Sequence, residues 1–322
     1  MKLVHCAVGL VLALSGGAAL AQSAKYPSRV VRILVGFSPG GATDIVARLL
    51  APGLTESLEQ SVVVENRPGA SSQIAGEFVA KSAPDGHTLL MTTQTLMTSQ
   101  MIEKRTYPDL TKDFAAVALC ATSPLVLVVN PSLPARSLKE LIALARARPG
   151  EMNYGSGGIG TTPHLSGELL ATLARLKLVH IPYKGEGPAI VDVLAGHLPF
   201  MCTNVTASIA HVQSGKLRAL AVTGTQPTPI VPGVATLAEA GLPGFEVVGF
   251  FGVMAPLATP REIVTQLNAE IGKVLARADI RERFASQALD PANRSAEQFG
   301  DYLKSEAGKW GKLIRDAGIT AQ

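Results

Sequence analysis

Short runs of apolar and β-branched residues recur along the chain, and between them apolar positions fall at helical spacing. Val30–Val35, Val62–Glu65, Thr88–Met91, Leu125–Val129, Leu178–Pro182, Leu217–Val222 and Phe250–Met254 read as strands. Asp44–Leu58, Gln73–Lys81, Ser137–Arg148, Leu165–Leu173 and Ala189–Ala195 read as helices. Such alternation predicts an α/β fold of parallel sheets with helices on both faces. The pattern contains no internal repeat and no low-complexity linker.

Two further helices are marked by their starts. Thr259-Pro260-Arg261-Glu262 spells a capping box with proline at the first helical position, and Ile263, Leu267, Ile271 and Val274 follow on one face. Ser295-Ala296-Glu297-Gln298 repeats the device, with Phe299, Leu303, Trp310 and Ile314 behind it. Both read as packing elements, with Trp310 as a core anchor.

The first residues fall outside the alternation. Met1-Lys2 is a short positive start, Ala7 to Leu20 is almost wholly apolar, and Ala19-Leu20-Ala21 precedes Gln22 as an A-x-A site. This is the pattern of a secretory signal peptide, residues 1–21, cleaved after Ala21. The run falls short of the roughly 20 residues a membrane span needs. Export takes the mature chain to an oxidising compartment, where Cys120 and Cys202 are free to pair or to serve as small buried hydrophobes.

About 300 mature residues exceed what one core usually holds, so two lobes are expected. The net charge of +4 falls to +3 once Lys2 is removed, and only 17% of residues are charged. With no basic run and few aromatics, nucleic acid is not an expected partner. No group of Cys, His or acidic residues has metal-ligand spacing, so neither metal nor cofactor is expected.

Two glycine-rich loops carry the candidate chemistry. Gly36-Phe37-Ser38-Pro39-Gly40 matches G-x-S-x-G, the nucleophile elbow of α/β-hydrolases. The residue after the serine should lend its N–H to the oxyanion hole, and Pro39 has none. The same residues suit an anion: Gly40 and Gly41 let the backbone approach, Thr43 or Asp44 can cap the following helix, and its first N–H groups face outward. The second loop, Gly155-Ser156-Gly157-Gly158-Ile159-Gly160, contains G-x-G-x-x-G, but Ile181-Pro182-Tyr183-Lys184 stands where a nucleotide site needs its acid. It remains a hydroxyl-rich turn before a helix, with Ser156, Thr161 and Thr162 as donors. His164 has no partner nucleophile and reads as structural.

At this point several motifs coincide. Phe37-x-Pro39-Gly40-Gly41-x-x-Asp44-x-x-Ala47-Arg48, Val63-Val64-Glu65-Asn66-Arg67-Pro68-Gly69-Ala70, Ala83-Pro84-Asp85-Gly86, Ile181-Pro182-Tyr183-Lys184-Gly185, Gly215-Lys216-Leu217-Arg218-Ala219-Leu220-Ala221-Val222 and Glu239-Ala240-Gly241-Leu242-Pro243-Gly244 occur in this order. In these, across the mature chain, the sequence resembles the Bug proteins, the receptors of tripartite tricarboxylate transporters.

The resemblance implies a two-lobed periplasmic binding protein of type II-like fold, closing a cleft on a small organic acid. One lobe would comprise residues 22–123 and 224–322, the other residues 124–223. It also implies a monomer, not an enzyme, that hands its ligand to membrane transporter subunits; a sensor protein is a second partner left open. The implied contacts in the first lobe are Phe37, Ser38, Pro39, Gly40 and Gly41, with Ala70, Ser71, Thr92 and Thr93. In the second they are Ser156, Gly157, Gly158, Thr161, His164, Tyr183, Thr203 and Asn204. Arg67 and Lys184 adjoin these loops but need not enter the pocket, since charge-assisted backbone bonds of about 1.5–3 kcal/mol each suffice for micromolar affinity.

Two departures bear on the ligand. The family commonly has an acid where this chain has Thr203, and a tryptophan where it has Phe250. Loss of that acid points to a ligand without an ammonium, a dicarboxylate or an aromatic acid; Phe250 and Phe251 read equally as an apolar wall for it or as core residues of a crossover strand. The competing function, a secreted serine hydrolase using Ser38, predicts ester turnover in place of stoichiometric binding.

Overall fold

The computed structural model describes residues 26–103, 108–316 and 318–320; the expected signal peptide and Cys6 lie outside them. The first apolar run forms β1 (Val31–Val35), buried everywhere except Arg32. It is followed by α1 (Ala42–Leu58), β2 (Val62–Asn66), α2 (Gln73–Ala80), β3 (Thr88–Thr92) and α3 (Thr95–Glu103). After β4 (Phe114–Val129) come α4 (Leu138–Ala147), β5 (Met152–Ser156), α5 (Thr162–Ala174), β6 (Leu178–Pro182), α6 (Glu186–Ala195), β7 (Phe200–Asn204), α7 (Val205–Gln213) and β8 (Arg218–Val222). The chain closes with β9 (Val248–Pro256), α8 (Arg261–Ala276), α9 (Ala278–Ala285), the short β10 (Asp290–Pro291) and α10 (Ala296–Asp316).

The α/β alternation gives two parallel units, β2-β1-β3 and β6-β5-β7. What joins them is antiparallel, which the alternation did not predict. The first part of β4 pairs with β9, from Phe114 opposite Pro256 to Pro124 opposite Val248. The remainder, Leu125–Val129, pairs with β7 and β8, so one strand belongs to both sheets. Pro124, which cannot donate to a ladder, sits where β4 changes sheets. There Thr223 ties three segments together: its N–H donates to Leu125 O (2.9 Å), its hydroxyl accepts from Leu125 N–H (2.8 Å) and donates to Val247 O (2.6 Å).

Three of the elements that the pattern missed share a cause. In α3 and α7 the polar residues Thr98, Ser99, Thr206 and Ser208 are buried along with the apolar ones, so no apolar stripe stands against a wet face. The Ala-rich first part of β4 is likewise covered on both sides and does not alternate.

The two capping boxes fare differently. Ser295 and Gln298 form theirs, each backbone N–H reaching the other's side chain at 3.0 and 3.2 Å. Thr259 and Glu262 do not: Pro260 keeps an extended ψ of 139° and is itself the N-cap, so α8 starts one residue late and the Thr259 hydroxyl has no partner. Cys120 and Cys202 are buried, unpaired thiols, and burial pushes both up to about 12. No helix among the described residues is long and apolar enough to cross a membrane.

Candidate functional site

Five helices begin at one place between the two sheets. The loop after β1 reaches α1 through Gly40, whose φ of +86° suits glycine. Gly41 is the N-cap and offers no side chain to the first N–H groups of α1. Asp44 serves the loop instead: it accepts from Gly40 N–H (3.1 Å) and from Asn66 Nδ2 (2.9 Å), and Arg48 lies 3.0 Å away. Burial pushes its carboxyl up, but these donors hold it below the usual carboxylate range.

The loop after β5 enters α5 in the same way. Thr161 is the N-cap, its hydroxyl accepting from His164 N–H (3.4 Å) and donating to Gly158 O (2.7 Å). The N-cap of α6 is Gly185, without a capping side chain, while α3 and α7 start within two residues of the ends of β3 and β7.

These starts enclose a cavity. Gly41–Thr43 of α1, Thr93 and Thr95 of α3, Gly157 and Thr161–Pro163 of α5, Glu186 of α6 and Asn204 of α7 line it, and Phe37 with Gly249–Phe251 forms its apolar side. No lysine or arginine is among these residues. The lobes are shut, leaving 20 Å³, room for about one water. Ser38 N–H donates to Lys184 O (2.9 Å) and Thr98 Oγ1 to Gly160 O (2.5 Å), both across the cleft.

Of the expected contacts, the cavity is lined by Phe37, Gly41, Thr93, Gly157, Thr161 and Asn204. The others stand aside. Pro39 and Gly40 are on the exposed side of their loop, and the Ser38 N–H is spent on Lys184. Ala70 and Ser71 occupy a left-handed turn with φ of 44° and 50°. The Thr92 hydroxyl donates to Thr93 O, Tyr183 to the Asp192 carboxylate, and Gly158 O accepts from Thr161 and Ser156. Arg67 lies over the Phe78 ring at 3.9 Å, outside the cleft.

Ser156 and His164 belong to a buried cluster behind the second loop. The Ser156 hydroxyl is 2.6 Å from His180 Nε2, the His164 and His180 rings stack at 4.0 Å, and His164 Nδ1 accepts from Gly160 N–H (3.0 Å). Burial, and for His164 also the neighbouring His180, holds them at about 3 and about 4 respectively. Both are therefore neutral in the fold, whereas an unfolded histidine gains its proton near pH 6.5. Stability from this pair is complete above that pH and is lost as pH falls toward 4, at about 1.4 kcal/mol for each pH unit of displacement. Thermal unfolding followed from pH 7 to pH 4 should decline steeply, and His164→Gln, which can still accept from Gly160, should decline less. Equal slopes would exclude the pair as the source.

The residue that sequence reasoning missed is Glu186. Its carboxylate accepts from Thr203 Oγ1 (2.6 Å), Asn204 N–H (2.9 Å) and Asn204 Nδ2 (2.5 Å). Burial raises its carboxyl, against the pull of those three donors. A carboxylate from α6 thus stands beside Thr203. The sequence pattern started this helix at Ala189, which left Glu186 outside it; α6 in fact begins at Glu186.

Residues 46–319 match the tripartite tricarboxylate transporter family receptor. The chain belongs to this family. Protein BugT of Bordetella pertussis is 38% identical over 97% of this chain and 96% of its own length. Two solved structures share the two-lobed binding-protein fold of this receptor. Rpa4515 of R. palustris, solved with adipate, has a TM-score of 0.89 at 36% identity, covering 92% of this chain and 99% of its own. MatC from Rhodopseudomonas palustris, solved with malate, has a TM-score of 0.85 at 30% identity, covering 90% and 100%.

The serine of the G-x-S-x-G match, Ser38, lies in the loop before α1 with its N–H taken by Lys184 O, and His164, in α5, accepts from Gly160 N–H and stacks on His180.

Proposed function

We propose that this receptor captures a small organic acid in the periplasm and delivers it to the membrane subunits of a tripartite transporter. One observation carries the reading: several helix N-termini converge on a single inter-lobe cavity that no cationic side chain lines. A helix N-terminus presents N–H groups without intrahelical partners and the positive end of a helix dipole; at α7 the Glu186 carboxylate already takes this place. The carboxylate sits against Gly41–Thr43, Gly157 and Thr161–Thr162, and the phenylalanines hold the apolar body. Residues 22–123 with 224–322 form one lobe and residues 124–223 the other, a division supported by Pro124 and Thr223 at the change of sheets. Cleavage after Ala21 releases the mature chain.

The cavity lies between the lobes, so ligand enters when the cleft opens. Ligand-free, refolded mature protein should be stabilised by one compact group of mono-, di- or tricarboxylates in thermal unfolding. At 100 times its dissociation constant a ligand adds about 2.7 kcal/mol. A panel in which no carboxylate raises the transition would remove the assignment.

A further inference from the structure

The cavity is not uniformly made of donors. The Glu186 carboxylate lies across the first turn of α7, so that helix end already holds an anion belonging to the protein. Glu186 also decides how the Asn204 amide points. Nδ2 must face the carboxylate, and this turns Oδ1 toward Gly249, where it is buried without a partner. Asn204 is 4% exposed, so its bare acceptor cannot be served by bulk water. Glu186 Oε1, with a single donor, has a further lone pair free.

One side of the cavity therefore offers N–H groups and the other offers two acceptors. We propose that Glu186 and Asn204 form a specificity subsite that selects organic acids carrying a hydroxyl or ammonium donor beside the carboxylate. This rests on the receptor reading and refines its ligand class. A donor from the ligand gives Asn204 Oδ1 its missing hydrogen bond and strengthens against the adjoining carboxylate. An acid lacking it leaves that acceptor buried and unmatched. A second ligand carboxylate in this position faces like charge. Phe250 and Phe251 adjoin the subsite, so an apolar substituent on the same ligand is also accommodated.

The test compares acids that differ in one donor: malate and aspartate against succinate, and phenyllactate against phenylpropionate. Calorimetric titration of the ligand-free mature protein should give the donor-bearing member of at least one set an affinity at least about tenfold tighter. In Glu186→Gln the gap should shrink, through weaker binding of the donor-bearing acid, while its partner binds as well as before or better. Thermal unfolding checks the variant's fold, and the wild-type comparison decides the matter alone if the variant does not fold. Acids that bind without regard to the donor, or a gap unchanged in Glu186→Gln, overturn the subsite and leave the receptor reading standing. Failure of every acid to bind the wild type overturns both.

Discussion

Gly157→Val should remove most of the receptor's affinity for its ligand while leaving the fold in place. Gly157 lies between the starts of α5 and α6, on the cavity wall. A β-carbon there would stand 3.2 Å from Glu186 N and 3.3 Å from the Gly185 carbonyl carbon, both backbone atoms that no rotamer change can move aside. Valine's methyl groups would then cover the N–H groups meant for a carboxylate. A loss of about 100-fold or more, about 2.7 kcal/mol, is expected in titration with the ligand identified by thermal shift. Overpacking of this kind costs about 1–3 kcal/mol of stability, which a protein of this size survives. Gly300→Ala is the matched control: nothing lies within 4 Å of its added β-carbon in α10. There alanine should add about 0.5–1 kcal/mol of stability and leave affinity unchanged. If Gly157→Val binds like the wild type, the ligand lies elsewhere.

Trp310→Ala carries the largest expected cost in stability, about 3–5 kcal/mol. The indole is 1% exposed, packed in the core beside Phe299, Leu303 and Ile314 of the same helix. Its Nε1–H donates to Glu306 Oε2 at 2.7 Å, and Glu306 is itself buried. Truncation opens a cavity and takes the donor from a buried carboxylate, two penalties that add. Trp310→Phe separates them, since it keeps much of the volume and loses only the hydrogen bond, for about 1–3 kcal/mol. Chemical denaturation followed by far-ultraviolet circular dichroism reads both variants, because the only tryptophan is the residue removed. A Trp310→Ala protein as stable as the wild type would mean that α10 does not anchor this lobe.

The α/β alternation and the strands β1, β2, β3, β6 and β8 were readable in the chain, because each depends on neighbours a few residues apart; α1 and α5 were readable too, but they begin at Ala42 and Thr162, ahead of the starts at Asp44 and Leu165 that the spacing predicted. The glycines at 40 and 158 likewise announced turns that only positive φ can make. The cleft's apolar side was legible only in part, since the pattern placed Phe250 and Phe251 equally well in the core of a crossover strand. The role of Ser156 was not legible, since nothing local reveals that it joins His180 in a buried cluster, whereas His164 already read as structural.

By itself the sequence determined the fold class, the two anion-ready loops and the family, all of which follow from short-range spacing and ordered motifs. Only the tertiary structure decided which loop atoms share one cavity. Whether an N–H is free depends on what lies across the cleft: Ser38's is taken by Lys184, from the other lobe. The same holds for charge. Packing from α6 sets the Glu186 carboxylate against Thr203 and Asn204, and contacts between elements distant along the chain leave no trace in the local pattern.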